Sequence, residues 1–138
     1  MKQQLFYLFA FLCTSCNYYS RFHQGRFEII DEEKNLKYEI IRSENRQIER
    51  VYCYDENKFL RETHLFINWN SKSEYTLLFD TVRQTPDPTA SQINKSGGLK
   101  NEIFLIKNDC AFVNTTFKNN FLISKICLIP LSLGYSSR

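Results

Sequence analysis

Residues 59–80 read FLRETHLFINWNSKSEYTLLFD, and this stretch decides the fold. Two runs of alternating apolar and polar residues flank the short polar segment Asn70–Ser73. Successive side chains of a β-strand point to opposite faces, so this alternation predicts strands that are buried on one face. The buried series are Leu65, Ile67 and Trp69 before the turn and Tyr75, Leu77 and Phe79 after it. Two such strands joined by a short loop predict an antiparallel hairpin.

The same pattern of alternating runs and short polar turns extends over most of the chain. The extended runs are Arg26–Ile30, Tyr38–Arg42, Arg46–Tyr54, Phe59–Trp69, Glu74–Asp80, Leu99–Lys107, Ala111–Phe117 and Asn120–Leu131. Three alanines stand against 12 isoleucines and 21 aromatic residues, a composition that fits strands better than helices. The sequence therefore predicts an all-β antiparallel meander of about eight strands, folded as a small barrel or a two-layer sheet. The interior of a lipocalin-like barrel can be filled or can hold one small ligand, and the sequence leaves both open.

The longest interruption of the strand pattern lies between the fifth and sixth runs. Residues 81–98 contain Pro86, Pro88, Gly97 and Gly98 among small polar residues, a composition typical of loops. We therefore expect a surface loop there. In the last run apolar residues occur on both faces, so we expect that strand to be covered on both sides.

The first sixteen residues have the layout of a bacterial export leader. Lys2 precedes eight consecutive apolar residues, Leu5–Leu12, and the small residues TS lead to Cys16. Eight residues at about 1.5 Å each span roughly 12 Å as a helix, well short of the ~30 Å hydrocarbon core. The segment LCTSC resembles the lipobox of bacterial lipoproteins, except that Cys13 stands where leucine is usual.

These features predict a signal peptide over residues 1–15, a tether over residues 16–24 with a lipid on Cys16, and a single β domain over residues 25–138. The expected location is the bacterial cell envelope, at the outer membrane, with membrane contact through the acyl chains. A plain cleaved signal and an apolar first strand are the alternatives. The aromatic residues near the anchor are expected at the lipid interface or in disordered chain, and they are Tyr18, Tyr19 and Phe22.

After the leader and Cys16 the chain retains three cysteines, Cys53, Cys110 and Cys127, which allow at most one intramolecular bridge. Cys53 and Cys127 lie in apolar, strand-like segments, where a cysteine often acts as a small buried hydrophobe. We therefore expect buried free thiols, with one bridge as the alternative in an oxidising envelope. His23 and His64 are 41 residues apart and no C-x-x-C pair follows the leader, so we expect no metal and no cofactor.

Three short segments resemble a family of short bacterial lipoproteins of unsettled function. They are FHQGRF at Phe22–Phe27, IR at Ile41–Arg42 followed by QIE at Gln47–Glu49, and INWNSKSEY at Ile67–Tyr75. Relatives carry a cysteine where this chain has Ser73, so any bridge made by that cysteine is absent here. Some members carry a DNA topoisomerase label, which nothing in these residues supports, because the chain is short and lacks a phosphate-binding glycine loop.

Eight residues are candidates to face a ligand or a partner, namely Phe27, Arg42, Gln47, Glu49, Trp69, Tyr75, Phe79 and Phe104. In a ligand-binding barrel the aromatic residues Phe27, Trp69, Phe79 and Phe104 would line a cavity of a few hundred Å³. Arg42, Gln47 and Glu49 would form either a polar cluster inside the barrel or a solvated strand face with charge pairs, and we favour the solvated face. Trp69 and Tyr75 flank a turn, which favours a core corner over a stacking platform.

The remaining features restrict the class of function. The formal charge of +3 comes from 18 basic and 15 acidic residues, a mixture too even for a nucleic-acid binder. No nucleophile motif lies near His64, so we expect no enzymatic activity. The sequence predicts a lipid-anchored binding or interaction module that faces a protein partner or a small apolar ligand. The alternatives are a lipocalin-like carrier, an envelope hydrolase that uses His64, and a structural partner module with an exposed apolar patch or an unpaired sheet edge.

Overall fold

A computed structural model describes residues 18–85 and 87–130 of the chain, which form an eight-stranded β-barrel. The elements are β1 Gly25–Asp31, β2 Leu36–Arg42, β3 Arg46–Cys53, β4 Lys58–Trp69, β5 Glu74–Phe79, α1 Pro88–Lys95, β6 Leu99–Lys107, β7 Cys110–Phe117 and β8 Asn120–Leu128. Each strand pairs antiparallel with the next, and β8 pairs with β1 to close the barrel. The predicted all-β meander is confirmed, as a barrel. The predicted signal peptide and Cys16 lie outside the described residues.

Turn residues that tolerate a left-handed backbone allow the short connections between strands. Asn35, Asn57 and Asn108 have φ angles of 54°, 49° and 57°. Asparagine adopts this region more readily than most residues because its short polar side chain can bond locally. The Oδ1 atom of Asn35 accepts a hydrogen bond from the backbone N–H of Asp55 at 3.0 Å. This bond ties the β1–β2 turn to the β3–β4 turn at one end of the barrel.

The barrel has a closed end, where β1 begins, and an open end, which we call the mouth. Residues 18–24 run across the closed end and are fixed to two of its turns. The Nη2 group of Arg21 donates to Oδ1 of Asp109 at 2.6 Å, between β6 and β7. The Nε2 group of His23 donates to the carbonyl oxygen of Lys72 at 2.8 Å, between β4 and β5. We call residues 18–24 the plug.

Phe22 anchors the plug in the core. Its side chain is 0% exposed and its ring stacks on Phe27 with 5.7 Å between the ring centroids. Tyr19 also packs against the core, whereas Tyr18 is exposed. The expectation that Phe22 rests at a lipid interface or in disordered chain is therefore wrong. A fully apolar side chain lowers the free energy of folding when it fills the end of a barrel that would otherwise be open to water.

The hydrophobic core follows the alternation read from the sequence. Leu65 and Ile67 are buried on the inner face of β4, and Tyr75 and Leu77 are buried on β5, as predicted. Burying each such side chain contributes about 1.5–3 kcal/mol relative to exposure. The buried cluster consists of Phe22, Phe27, Ile40, Leu65, Ile67, Tyr75, Leu77, Ile103, Ala111, Val113 and Ile126.

The barrel closes over only a short length of its first and last strands. The ladder between β1 and β8 has two residue pairs, Phe27 with Leu128 and Glu28 with Cys127. Within the described residues, the parts of the two strands nearer the mouth form no further pairs. We call this unpaired boundary the seam. It leaves two sheet edges without backbone partners, a feature that closed barrels usually lack.

The seam explains the exposure of the last strand. Phe121, Leu122 and Ile123 are 72%, 61% and 55% exposed, although all three are large and apolar. The expectation that β8 is covered on both faces is wrong. β7 covers one edge of β8 along its whole length, whereas β1 reaches only its last residues.

The connection between β5 and β6 contains helix α1, so the expectation of a surface loop over residues 81–98 is wrong for its second half. Oδ1 of Asp87 accepts from the N–H of Ala90 at 2.7 Å and caps the helix, and Pro88 follows at the first helical position. Proline is favoured there because its fixed φ suits the first turn. At the other end the N–H of Gly98 donates to the carbonyl of Ile93 at 2.9 Å, which completes a Schellman motif.

Two of the three cysteines form a bridge. Cys110 and Cys127 lie directly opposite each other on β7 and β8 and are joined by a disulfide, whereas Cys53 is free and partly buried. The expectation of free thiols is therefore wrong for this pair. The sequence does not reveal the pairing, because it depends on the register between β7 and β8, which places two cysteines 17 residues apart directly opposite each other.

Candidate ligand-binding cavity

The barrel encloses a cavity of about 510 Å³ that opens at the mouth and along the seam. This volume lies within the range of small-molecule sites in proteins, about 300–1,000 Å³. Its rim is formed by the β1–β2 turn and by the start of β8. Its apolar walls are Ile29, Ile40, Leu77, Leu99, Val113, Leu122 and Ile126.

Arg42 lies at the floor of the cavity, where β2 ends. The side chain is 4% exposed and donates three hydrogen bonds. Its Nε group donates to Oε1 of Gln47 at 2.7 Å, its Nη1 group to the carbonyl of Phe22 at 2.8 Å, and its Nη2 group to the hydroxyl of Tyr75 at 2.7 Å. A buried guanidinium is costly unless it is well hydrogen-bonded, and these bonds meet most of that requirement.

Three aromatic rings surround the same guanidinium. The Cζ atom of Arg42 lies 5.3 Å from the ring centre of Phe27, 5.7 Å from that of Trp69 and 4.6 Å from that of Tyr75. The negative face of an aromatic ring attracts a cation, and the attraction is stronger in a desolvated site. The three rings thus stabilise the charge of Arg42, whose hydrogen-bond partners in the described part of the chain are all neutral.

Glu49 is connected to Arg42 through Gln47. Gln47 and Glu49 are two residues apart on β3 and share its inner face, and Nε2 of Gln47 donates to Oε1 of Glu49 at 2.7 Å. Burial raises the pKa of Glu49 above its ordinary value, against the opposing hydrogen bond from Gln47 and the charges of Arg42 and Arg61. Arg42 and Gln47 are buried and Glu49 lines the cavity, so the solvated strand face that we favoured is wrong.

Tyr75 keeps its proton under ordinary conditions. Burial raises the pKa of this phenol, although the charge of Arg42 and the hydrogen bond from it act in the opposite direction. The hydroxyl oxygen accepts from Arg42, which leaves the O–H proton to donate. Because Tyr75 lines the cavity, this proton is one of the polar groups that a bound molecule can meet.

Sequence reasoning missed two further polar residues that line the cavity, Asn101 and Thr115. The Oγ1 group of Thr115 donates to Oδ1 of Asn101 at 2.6 Å, and Nδ2 of Asn101 donates to the carbonyl of Leu99 at 2.9 Å. The signal was present in the sequence. Asn101 lies in the alternating series that contains Leu99 and Ile103, and Thr115 lies in the corresponding series of β7.

The structure brings some of the eight predicted residues together and separates others. Arg42, Gln47, Glu49 and Tyr75 line the cavity. Phe27 and Trp69 lie beside the guanidinium of Arg42, and Phe79 packs against the core outside the cavity lining. Trp69 is the core corner that we favoured, since it packs against the buried cluster with 4.6 Å between its ring centre and that of Tyr75.

The prediction that Phe27, Trp69, Phe79 and Phe104 line the cavity is wrong, since none of them is among its lining residues, and Phe104 points away from the interior. The side chain of Phe104 is 47% exposed on the outside of the barrel. Phe104 directly follows the buried Ile103, and adjacent strand residues point to opposite faces. A bulge between Ile103 and Leu105 then shifts the register, so that Ile106 packs against the core.

His64 lies on the outer side of the barrel, away from the cavity. Its Nε2 group donates to Oε1 of Glu62 at 2.7 Å, and Arg50 donates to the other oxygen of Glu62 at 2.7 Å. The hydrogen bond from Arg50 lowers the pKa of Glu62 in spite of partial desolvation, and His64 adds to this effect. The three residues form a surface network of charged and polar groups.

Among residues 18–85 and 87–130, no cluster of three or more histidine, cysteine, aspartate or glutamate residues is arranged to bind a metal ion. No helix in that part of the chain has the length and apolar character needed to cross a bilayer.

Comparisons of this chain with protein-family models, with curated proteins and with solved structures find no match. The resemblance to short bacterial lipoproteins therefore stays a prediction.

Proposed function

We propose that this protein binds a small molecule with an apolar body inside its barrel. The observation that carries the proposal is the cavity of about 510 Å³, because a barrel filled by its own side chains would have no room for a ligand. Apolar walls and a few polar groups at one end are the usual composition of such sites. This is the lipocalin-like alternative among the functions predicted from the sequence.

The proposal includes a location. A lipid on Cys16 would hold the protein at the bacterial envelope, and the plug, which begins at residue 18, lies at the closed end of the barrel. The mouth would then open on the side away from the membrane. Labelling with a palmitate analogue tests the anchor, with incorporation expected in the native chain and lost in Cys16→Ala. Equal labelling of both chains would contradict it.

A pair of valine variants tests binding. Val113 lines the cavity, whereas Val82 is 94% exposed outside the barrel. Val113→Phe places extra volume in the cavity at a cost of about 1–3 kcal/mol in stability, and Val82→Phe makes the same change on the surface. Circular dichroism checks that both variants fold.

We expect native mass spectrometry of protein purified from bacterial envelopes to show a retained small molecule in the native chain and in Val82→Phe. Val113→Phe should lose it, and should also lose binding of a neutral apolar dye such as N-phenyl-1-naphthylamine. A folded native chain that neither retains a ligand nor binds the dye would overturn the proposal. So would a folded Val113→Phe variant that binds as the native chain does.

The seam supports a second candidate function, the docking of a protein partner. Its two unpaired strand edges and the exposed Phe121 could accept an additional strand from another protein. Phe121→Glu would abolish such docking and leave dye binding unchanged. If Phe121→Glu were without effect on complex formation in the envelope, this second function would be excluded.

A further inference from the structure

The charged and titratable groups around the cavity fall into two sets. At the exposed rim lie Asp31, Glu32, Glu33, Lys34 and Lys125, where solvent and salt weaken their effect. In the interior lie Arg42 and Tyr38 on β2, Glu49 on β3 and Tyr75 on β5, with the charge of Arg61 acting on Glu49 from β4. The interior set decides which head group the cavity accepts.

We propose that the ligand is an apolar carboxylate, whose head group lies on the floor of the cavity against Arg42, Tyr75 and Glu49. This inference rests on the proposed function, since it names the chemical class that the same cavity holds. The hydrocarbon part of the ligand would extend towards the mouth along the apolar walls formed by residues such as Ile40 and Val113.

Hydrogen-bond capacity at the floor supports an acceptor as the head group. A guanidinium has five N–H donors, and three of those of Arg42 are used by oxygen atoms of described residues. The O–H of Tyr75 is a further donor, because its oxygen already accepts from Arg42. A carboxylate offers about four acceptor sites and can use several of these donors together.

Charge balance supports an anion with a single charge. The three hydrogen-bond acceptors of Arg42 among the described residues are neutral, and the carboxyl group connected to it through Gln47 is that of Glu49. Burial already favours the protonated form of Glu49. A bound carboxylate balances the charge of Arg42 when Glu49 is protonated, so at a pH where Glu49 is ionised in the free protein it takes up a proton from solvent and the floor stays neutral.

Other charged head groups leave the floor with an unbalanced charge, and a neutral one binds more weakly. A protonated amine would add a second positive charge beside Arg42, and a phosphate monoester carries about −1.5 to −2 at neutral pH against one guanidinium. An alcohol is neutral but forgoes the charge-assisted hydrogen bonds. The expected order of affinity is therefore carboxylate, then alcohol, then amine.

Three probes of one chain length test this order, namely decanoate, decanol and decylammonium. Displacement of the neutral dye from the native protein should give a dissociation constant for decanoate at least about tenfold below that of decanol, and the weakest binding for decylammonium. Calorimetry in buffers of different ionisation enthalpy should show uptake of a proton with decanoate and none with decanol. Affinity for decanoate should fall as the pH rises through the raised pKa of Glu49, because the ionised carboxylate then repels the ligand.

Matched variants locate the head group. Tyr75→Phe removes one donor and should weaken decanoate several-fold while leaving decanol unchanged. Tyr38→Phe makes the same change at another residue of the cavity lining and should affect neither probe. Glu49→Gln should still bind decanoate, because an amide N–H can donate as the protonated carboxyl does, but should lose the proton uptake and the pH dependence.

The outcomes separate this inference from the proposed function. If all three probes bind equally and Val113→Phe abolishes their binding, the cavity binds ligands but the carboxylate is wrong. If Tyr38→Phe weakens decanoate as much as Tyr75→Phe, the position of the head group is wrong. If the native chain binds neither the dye nor any of the three probes, the proposed function fails.

Discussion

Arg42 is the residue at which the plug, the core and the cavity meet. It hydrogen-bonds to Phe22 in the plug, to Gln47 on β3 and to Tyr75 on β5. Removing one partner of such a network costs more than one hydrogen bond contributes, since the remaining groups stay buried without partners. Arg42 therefore joins the closed end of the barrel to the floor of the cavity.

The raised pKa of Glu49 predicts a dependence of stability on pH. The unfolded chain releases the proton of this carboxyl near its ordinary pKa of 4.5, whereas the folded protein keeps it up to a higher pH. The free energy of unfolding therefore falls as the pH rises from 4.5 through the raised pKa of Glu49 in the folded protein. Glu49→Gln removes this loss. We expect thermal unfolding of the variant and the native chain to coincide at low pH and the variant to melt higher near neutrality.

Glu44→Gln, an exchange in the exposed β2–β3 turn, serves as the control and should follow the native curve. A Glu49→Gln variant whose melting temperature differs from the native one by the same amount at every pH would contradict the prediction.

The burial of Phe22 predicts that the plug stabilises the barrel. Phe22→Ala should lower the free energy of unfolding by about 3 kcal/mol, the lower part of the range for a fully buried phenylalanine. Tyr18→Ala, at an exposed position of the same segment, should change it by less than about 0.5 kcal/mol. Urea unfolding measures both values. Equal effects of the two changes would show that the plug does not contribute to the core.

At this scale the sequence placed Arg42, Gln47 and Glu49 correctly relative to one another but not relative to solvent. Alternation along a strand shows which residues share a face. It does not show which face points inward, because that depends on how eight strands close around a common interior. The charges of Arg42 and Glu49 favoured a solvated face in the sequence. The structure instead turns this face inward, because Arg42 finds buried hydrogen-bond partners there.

A side chain of helix α1 completes the backbone hydrogen bonding at the end of β5. Oδ1 of Asn94 accepts from the backbone N–H of Phe79 at 2.9 Å, and its Nδ2 group donates to the carbonyl of Phe79 at 2.9 Å. β6 pairs with β5 only as far as Leu77, so this amide takes the place of a missing strand partner. The capping residue Asp87 followed by Pro88 was a readable helix signal, but the loop composition of residues 81–98 outweighed it.

Asn94→Ala should lower the free energy of unfolding by about 1–3 kcal/mol, because it leaves both backbone groups of Phe79 without their partner. Lys95→Ala, at the next and exposed position of α1, should have little effect. Chemical denaturation of the two variants checks the difference. A loss of similar size in Lys95→Ala would assign the effect to the helix as a whole.

The disulfide between β7 and β8 predicts a redox-dependent stability. A bridge that closes a loop of this length stabilises a protein by about 3 kcal/mol, mainly by restricting the unfolded chain. The double change Cys110→Ala and Cys127→Ala should remove this amount, and reducing agent should then have no further effect. Cys53→Ala should stay sensitive to the reductant. A double variant as stable as the oxidised native protein would contradict the prediction.

At the scale of the whole molecule, the class of fold could be predicted from the sequence, but the seam could not. Each strand and turn has a local signal in the alternation and in residues such as Asn35 and Asn57. The pairing of β1 with β8 joins residues about a hundred positions apart, and it leaves no local signal. For the same reason the sequence could not distinguish a cavity from a filled interior.

The seam predicts uneven protection of the backbone. Over residues 121–125, on the mouth side of the two-pair ladder, the amide protons of β8 that point towards β1 should exchange rapidly with solvent. Those of β3, which pairs along its length with both β2 and β4, should be protected. Hydrogen exchange followed by NMR measures this directly. Uniform protection across β8 would mean that the seam is closed in solution.

The first and last strands of the barrel are neighbours, and this has a practical consequence. β1 begins at Gly25 and β8 ends at Leu128, and both positions lie at the closed end, opposite the mouth. A sensor chip, a purification tag or a fused fluorescent domain joined to the chain beyond β8 would therefore start from the side away from the mouth and leave access to the interior open. The proposed lipid on Cys16 would act from the same side.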